Sequence, residues 1–496
     1  MPVPGESSRD PATDEVTHRT PGAPMGGAAH VETHSAALFF FGERVYKVKK
    51  PVDLGFLDFT TVEARALACR REVDLNRRLA PDVYLGVSEL RDPDGSVCDH
   101  LVTMRRMPED RRLARCLERG EDVSDGLRQI ARDIASLHAA GGTSELVRVG
   151  SRDVVREHWT DGFAQLAPLV GGSLDAAVEH EIETLALRYL AGRDPLFAER
   201  VAGGHVRDGH GDLQAEDIFV LSDGPRILDC LEFDDELRWG DVLLDIGFLA
   251  MDLEHLGHPD AATQLLASYR EFSGEVWPAS LAHHYLAYRA HVRAKVGAIR
   301  AAQRDEPSAE VDSLQKLCLR HLRDGRIRLV LVGGLPGTGK STAAAALGEE
   351  VGAVVLRTDE VRREAGAGDR YSAAGIDATY EELLRRAERL LCRGEQVILD
   401  ATWSDEVHRD LARRVAAGAD ADVVEICCIV TPEVGRARIE RRLAEGRDAS
   451  EATIEVAGSM ALRFAPWPQS ATVDTDREVA EIVRDSRSIG GWASSG

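Results

Sequence analysis

Residues 333–342 read Gly-Gly-Leu-Pro-Gly-Thr-Gly-Lys-Ser-Thr. Gly334, four free positions, Gly339, Lys340 and Ser341 fill the pattern G-x-x-x-x-G-K-[ST]. Each residue type has a chemical reason to be there. Glycines let the backbone approach a phosphate and turn consecutive N–H groups toward it. Lys340 can reach the β- and γ-phosphates of a nucleotide, and the Ser341 hydroxyl can ligate Mg²⁺. The candidate nucleotide-binding set is Gly334, Leu335, Pro336, Gly337, Thr338, Gly339, Lys340, Ser341 and Thr342.

Such a loop needs a strand to aim it and a helix to follow it. The apolar run 327–332 and the Ala-rich stretch 342–350 supply both. The helix N-terminus adds partial positive charge. A nucleotide-binding domain therefore begins near residue 326. Beyond it, strand-like runs at 353–357, 396–399, 423–430 and 471–473 alternate with helical stretches such as 380–391. Alternation predicts a parallel sheet with right-handed crossovers, with ligands at the strands' carboxyl ends. Asp400 ends an apolar strand there and suits holding Mg²⁺ through water. Asp359 is a candidate general base or orienter for an acceptor hydroxyl, or else the N-cap of a helix at 360–364. Arg436, Arg438, Arg441, Arg442 and Arg447 stand out in an acidic chain. They form either a lid over the transferring phosphoryl group, with Arg442 assigned to catalysis, or an exposed helix paired with Glu440 and Glu445.

At 496 residues the chain should hold two or more domains. Its net charge of −23 argues against nonspecific binding to nucleic acid or an anionic membrane. It would tolerate a cationic substrate. No apolar run approaches the ~20 residues that span a bilayer. The eight cysteines are scattered without a C-x-x-C pair, and Cys427-Cys428 reads as buried strand. A reducing cytoplasm is expected, with no zinc site and no disulfide framework. Residues 1–30 read as a disordered tail without a secretory signal.

Upstream, 36–41 and 44–49 read as a hairpin about Gly42-Glu43, its second strand carrying Lys47, Lys49 and Lys50. A helix at 61–79 carries Glu72 and is stopped by Pro81. Strands at 83–90 and 97–105 complete a small mixed α/β unit. Helices follow at 124–137, with Ser124 as N-cap, then at 154–166 and 174–190. The loop 205–212 breaks this pattern and enters a second hairpin, 217–221 with 226–230. Helices resume at 242–255, 261–272, 280–302 and 313–323. The 280–302 helix carries Arg289, Arg293 and Lys295, read as a solvated basic face first and as packing on the acidic cluster second. No internal repeat is apparent.

The polar loop and hairpin gather Asp212, Asp217, Asp229, Glu232, Asp234 and Asp235. Clustered acids repel unless a cation or solvent screens them. Mg²⁺ holding a polyphosphate is one explanation and a solvated acidic turn the other. His210-Gly211-Asp212-Leu213 and Ile227-Leu228-Asp229 resemble the aminoglycoside phosphotransferase family and its bilobal kinase-like fold, over about residues 30–300. The resemblance implies that Asp212 orients or deprotonates the substrate hydroxyl and that Asp217, in place of the family's Asn, and Asp229 hold Mg²⁺. It implies that Lys47 touches the α- and β-phosphates, with Glu72 as its helical partner and Lys49 as a close rival. Gln214 departs from the family's second His, and the first hairpin lacks G-x-G-x-x-G, so residues 33–36 would have to cover the phosphates. His138 reads as structural rather than catalytic.

The carboxyl-terminal half resembles small P-loop kinases, gluconate-kinase-like and polynucleotide-kinase-like. The matching pieces are the phosphate loop, Leu356-Arg357-Thr358-Asp359, Arg370-Tyr371-Ser372, Leu399-Asp400-Ala401-Thr402 and the run 445–451. The order of halves is similar to a bacterial fusion of the two families. That resemblance implies ATP and Mg²⁺ as cofactors but fixes no substrate; the expected activity is phosphoryl transfer to small-molecule hydroxyl groups. The expected architecture is a bilobal kinase-like domain at 31–312, mixing α+β and α/β, followed by a P-loop parallel-sheet domain at 313–496. A nucleotide-binding regulator with a noncatalytic first domain is the rival expectation, and polynucleotide phosphorylation is disfavoured by the acidic charge.

Overall fold

The computed structural model describes residues 29–33, 35–53, 58–142, 144–172, 174–304, 308–364, 372–445 and 454–492. They form two compact units. Unit 1 holds the chain to Glu183, with Phe197–Trp277 and His284–His321; unit 2 holds Thr184–Leu196, Pro278–His283 and Leu322–Gly496. The two upstream pieces belong with unit 2 because their polar groups are satisfied there. Buried Arg193 donates to the carbonyls of Leu391 (2.6 Å) and Ala419 (2.8 Å), and Ser280 Oγ donates to Gly394 O (2.6 Å). The helix Ala309–Asp324 lies with unit 1 up to His321, where chain order alone placed a break after 312.

Unit 1 opens with a five-stranded antiparallel sheet of order β1-β2-β3-β5-β4, made of β1 Ala29–Glu32, β2 Ala36–Phe41, β3 Arg44–Lys49, β4 Tyr84–Arg91 and β5 Val97–Arg105. The hairpin register Phe41↔Arg44 is made possible by Gly42 at φ +56. The helix Val62–Asn76, capped by Thr61 Oγ1, packs on this sheet through Cys69 and Val73. The rest of unit 1 is largely helical, with two small two-stranded antiparallel sheets. They are β6 Val206–Asp208 with β9 Trp239–Asp241, and β7 Ile218–Leu221 with β8 Gly224–Ile227. A strand-rich lobe followed by a helical lobe is the kinase-like architecture.

Three local expectations need correction. Ser124 is the first residue of the helix Ser124–Ala140, not its cap; Asp122 Oδ1 accepts from the Ser124 N–H at 2.9 Å. The second hairpin is shorter than expected, because Asp229 turns the chain out of it. The basic helix, Ala279–Arg304, is no solvated face: Arg289 and Lys295 are buried, and Arg293 pairs with Asp252 and with Glu310 (3.0 Å).

Unit 2 is a parallel sheet of order β11-β12-β10-β13-β14, formed by β10 Arg328–Gly333, β11 Val354–Arg357, β12 Val397–Asp400, β13 Asp422–Ile429 and β14 Ala471–Asp474. β10 is buried along its whole length, as a central parallel strand must be. The helices Lys340–Val351 and Val479–Gly490 cover one face through Ala344, Leu347 and Ile482. The order places the phosphate loop at the end of the central strand. No helix among the described residues is long and apolar enough to cross a membrane.

Candidate functional site

In unit 1 the loop 210–217 is held from below by one helix. Val242–His255 is apolar except for a few positions, among them Asp245 and Asp252, two turns apart on one face. Asp245 accepts from the backbone N–H of His210 and of Gly211, both at 2.8 Å. Asp252 accepts from Ala215 N–H at 2.8 Å. Asp245 is fixed in turn by His138 Nε2 (3.0 Å), whose Nδ1 meets Tyr269 Oη at 2.7 Å. Burial alone would raise the Asp245 carboxyl, but the His138 hydrogen bond and nearby imidazoles outweigh it and hold it well below the usual range. His138, read from the sequence as structural rather than catalytic, thus braces Asp245.

The loop presents Asp212 and Asp217. Burial raises the Asp212 carboxyl despite the opposing pull of His210 and Gln214, whose Nε2 donates to it at 2.8 Å. Asp217 is pushed well above the carboxylate range by burial, then by the charges of Asp229 and Asp212. Asp229 holds a left-handed backbone, φ +64, that few residues other than glycine adopt. Its N–H donates to Tyr84 Oη at 3.2 Å, while Asn76 Oδ1 accepts from Cys230 N–H at 2.9 Å. These bonds hold the strained turn in place.

Asp229 accepts from Lys47 Nζ at 2.8 Å, and Lys47 stands 3.1 Å from Glu72. Lys49 stands 2.7 Å from the other Glu72 oxygen and pairs with Glu232. Both lysines therefore share one glutamate, and Lys47 also reaches Asp229. Burial opposes the Lys49 charge, yet Glu232 and Glu72 outweigh it and raise its pKa. The remaining acids are paired or capping: Asp235 with Arg71 and Arg238, Glu236 with Arg148 (2.6 Å), and Asp234 accepting from Glu236 N–H (2.8 Å). At the first hairpin, Thr33 Oγ1 accepts from Ala36 N–H at 2.9 Å; residue 34 of the expected phosphate cover lies outside the described residues.

Among the described residues no three His, Cys, Asp or Glu side chains make a ready-made metal cage. Asp217 and Asp229 nevertheless fit Mg²⁺, which takes one or two carboxylates and completes its shell with phosphates and water. The Asp217 carboxyl is raised first by burial and then by the like charges of Asp229 and Asp212, and a cation would relieve the latter. Beside Gly211 a pocket opens, lined by His158, Trp239, Tyr285, Tyr288 and Arg289 among others.

In unit 2 three glycines give the phosphate loop its shape. Gly334, Gly337 and Gly339 have φ of +139, +85 and +79. A Cβ on Gly334 would lie 2.5 Å from Cys428 O, and one on Gly337 would lie 2.5 Å from Gly435 O. Thr338 Oγ1 donates to Leu335 O at 2.8 Å, and Thr475 Oγ1 donates to Thr338 O. Lys340, Ser341 and Thr342 then form the first turn of the helix, with Gly339 as its cap. Leu335 and Pro336 complete the loop beside them. Asp400 pairs in register with Val332, one residue from the loop, and is 4% exposed. Its carboxylate accepts from Arg357 Nε at 3.1 Å, a partner that local spacing does not reveal because it comes from the neighbouring strand.

Asp359 is not an N-cap. The helix Thr358–Glu364 starts before it, and its carboxylate accepts from Arg362 at 2.7 Å. Arg436, Arg438, Arg441 and Arg442 lie on the helix Pro432–Glu445. Arg438 Nη1 donates to Thr475 Oγ1 at 3.1 Å, joining that helix to the loop's support. Arg370, Tyr371, Arg447 and the rest of 446–451 lie outside the described residues.

Residues 329–467 match the family described as "AAA domain". The chain is 42% identical over 463 residues to the uncharacterized protein Rv2004c of Mycobacterium tuberculosis, spanning 90% of this chain and 91% of that one; the uncharacterized protein Mb2027c of Mycobacterium bovis matches equally. Among solved structures, a choline/ethanolamine kinase family protein from Mesorhizobium loti is similar over 60% of this chain and 92% of its own, at 16% identity and TM-score 0.39. The Mycobacterium tuberculosis APS kinase is similar over 34% of this chain and 98% of its own, at 24% identity and TM-score 0.29. With its two units and both candidate sites, the chain belongs to the protein family of these mycobacterial relatives.

Proposed function

We propose that the chain is an ATP- and Mg²⁺-dependent phosphotransferase acting on hydroxyl groups of small molecules, with one site in each unit. The observation that carries the reading is the phosphate loop: three glycines in backbone that side chains disfavour, two of them packed too closely for a Cβ, immediately before Lys340 and Ser341. Nothing in fold maintenance requires that combination, whereas cradling phosphates does.

In unit 2, backbone N–H groups and Lys340 bind the polyphosphate, Ser341 and Asp400 hold Mg²⁺, and Asp359 orients the acceptor hydroxyl. In unit 1, Lys47 braced by Glu72 binds phosphate, Asp217 and Asp229 hold Mg²⁺, and Asp212 accepts the hydroxyl proton. The raised carboxyl of Asp212 moves it toward the range of a useful base. The ion, when bound, neutralises charge across the phosphate oxygens. Catalysis in both sites is positioning and charge compensation.

A phosphorylation screen over a metabolite library tests this. Products lost only in Lys340→Ala belong to unit 2, and products lost only in Asp212→Asn belong to unit 1. No ATP-dependent product from the parent chain would refute the proposal and favour the regulatory reading.

A further inference from the structure

The pocket beside Gly211 holds a cation that this reaction does not use. Arg289 lies on the helix Ala279–Arg304 and is 7% exposed. Its Nε donates to Leu244 O at 3.2 Å, and its guanidinium lies over the Phe248 ring, 4.6 Å from the centroid. Its two Nη groups meet no hydrogen-bond acceptor among the described residues, and no carboxylate stands within ion-pair distance. The charges of Asp245 and Asp212 act on it only from further off, and burial outweighs them. Other buried arginines of unit 1 differ: Arg200 is held by Asp241 and Glu275, and Arg238 by Asp208 and Asp235. The pocket's acids do not compensate Arg289. Asp241 is committed to Arg200, and Glu236 to Arg148. Asp161 is only partly buried. The Nη donors are not sealed in protein but belong to a residue of the pocket wall, so a ligand in the pocket can supply their acceptors.

We propose that the pocket recognises a small hydroxylated acid, whose carboxylate or phosphate takes the two free donors of Arg289 and so directs a hydroxyl to Asp212. Guanidinium geometry suits such bidentate capture. The acceptor oxygen bonds to the γ-phosphorus as the bond from the β,γ-bridging oxygen to that phosphorus breaks. The products are a phosphate monoester and ADP, and the hydroxyl proton passes to the Asp212 carboxylate. The inference rests on reading Asp212 as the acceptor site.

The test uses the full chain carrying Lys340→Ala, with Mg²⁺ and a non-hydrolysable ATP analogue, in calorimetric titrations. D-glycerate and glycerol 3-phosphate are the acidic probes; glycerol and choline are the neutral and cationic ones. At least one acid should bind about tenfold or more tightly than glycerol and choline, and which acid does so separates carboxylate from phosphate recognition. Arg289→Met should abolish the preference, Arg289→Lys should keep part of it, and both should bind the ATP analogue as the parent does. Binding of glycerol or choline as tightly as the acids, no binding of either acid, or acid binding that survives Arg289→Met overturns the inference. An acid that binds through Arg289 but receives no phosphoryl group from ATP in the Lys340→Ala chain supports acid recognition by Arg289 and overturns the transfer step through Asp212.

Discussion

Asp217 shows how a single carboxylate couples chemistry to stability. Its folded pKa is raised by burial and by the charges of Asp229 and Asp212. A raised carboxyl binds its proton more tightly when folded than when unfolded, so the folded state loses stability as pH rises from the ordinary Asp range through the folded value, and carries the full penalty above it. Asp217→Asn should therefore raise the Tm of the metal-free chain near neutral pH by about 2 °C or more, with the gain vanishing at acid pH. Scanning calorimetry checks this, and Mg²⁺ with an ATP analogue should narrow the difference. At Gly337 the sign reverses. An alanine there must place Cβ 2.5 Å from Gly435 O at φ +85, so Gly337→Ala should cost about 1–3 kcal/mol and weaken nucleotide binding in unit 2. Denaturant unfolding and nucleotide titration measure the two effects.

Among the elements, the helix Val242–His255 matters most for unit 1, because Asp245 and Asp252 hold the loop that carries Asp212. Asp245→Asn removes a charged acceptor of two backbone N–H groups, each bond being worth about 1.5–3 kcal/mol. It should lower turnover in unit 1 while ATP binding in unit 2 is kept. The Asp245 carboxyl is held low, so its stabilisation is present above the ordinary Asp range and lost as pH falls below it. Glu72 compensates two buried lysines at 3.1 and 2.7 Å. Glu72→Gln removes the carboxylate that both lysines share, leaving Asp229 and Glu232 to compensate them, and should cost about 3–5 kcal/mol in urea unfolding.

These elements also show what was readable in advance. The first hairpin, the Glu72 helix and the phosphate loop were legible because periodicity, turn residues and glycines act locally. The support of the loop was not, because a carboxylate on a helix reveals its partners only when the helix is docked. Asp245 and Asp252, seven residues apart in the apolar run 242–255, were the available signal. Arg289 was misread for the same reason: a helical stripe of cations reads as a solvated face until the helix is seen to be buried.

At the scale of the whole molecule, a phosphate-loop sheet and a kinase-like unit lie in one chain, and residues 184–196 and 278–283 leave the first unit to complete the second. Cutting the chain at 312 would therefore strip unit 2 of Arg193 and Ser280, and a fragment of 313–496 should be less stable than unit 2 within the full chain. Comparing the melting of the fragment with the melting of unit 2 in the full chain checks that. The central claim is that each unit loads its own nucleotide. Calorimetric titration of the full chain with a non-hydrolysable ATP analogue and Mg²⁺ tests it most directly. Two sites per chain are predicted, with Lys340→Ala abolishing one and Lys47→Ala the other. A single site untouched by Lys47→Ala, or binding that is complete in Lys340→Ala, would contradict the account.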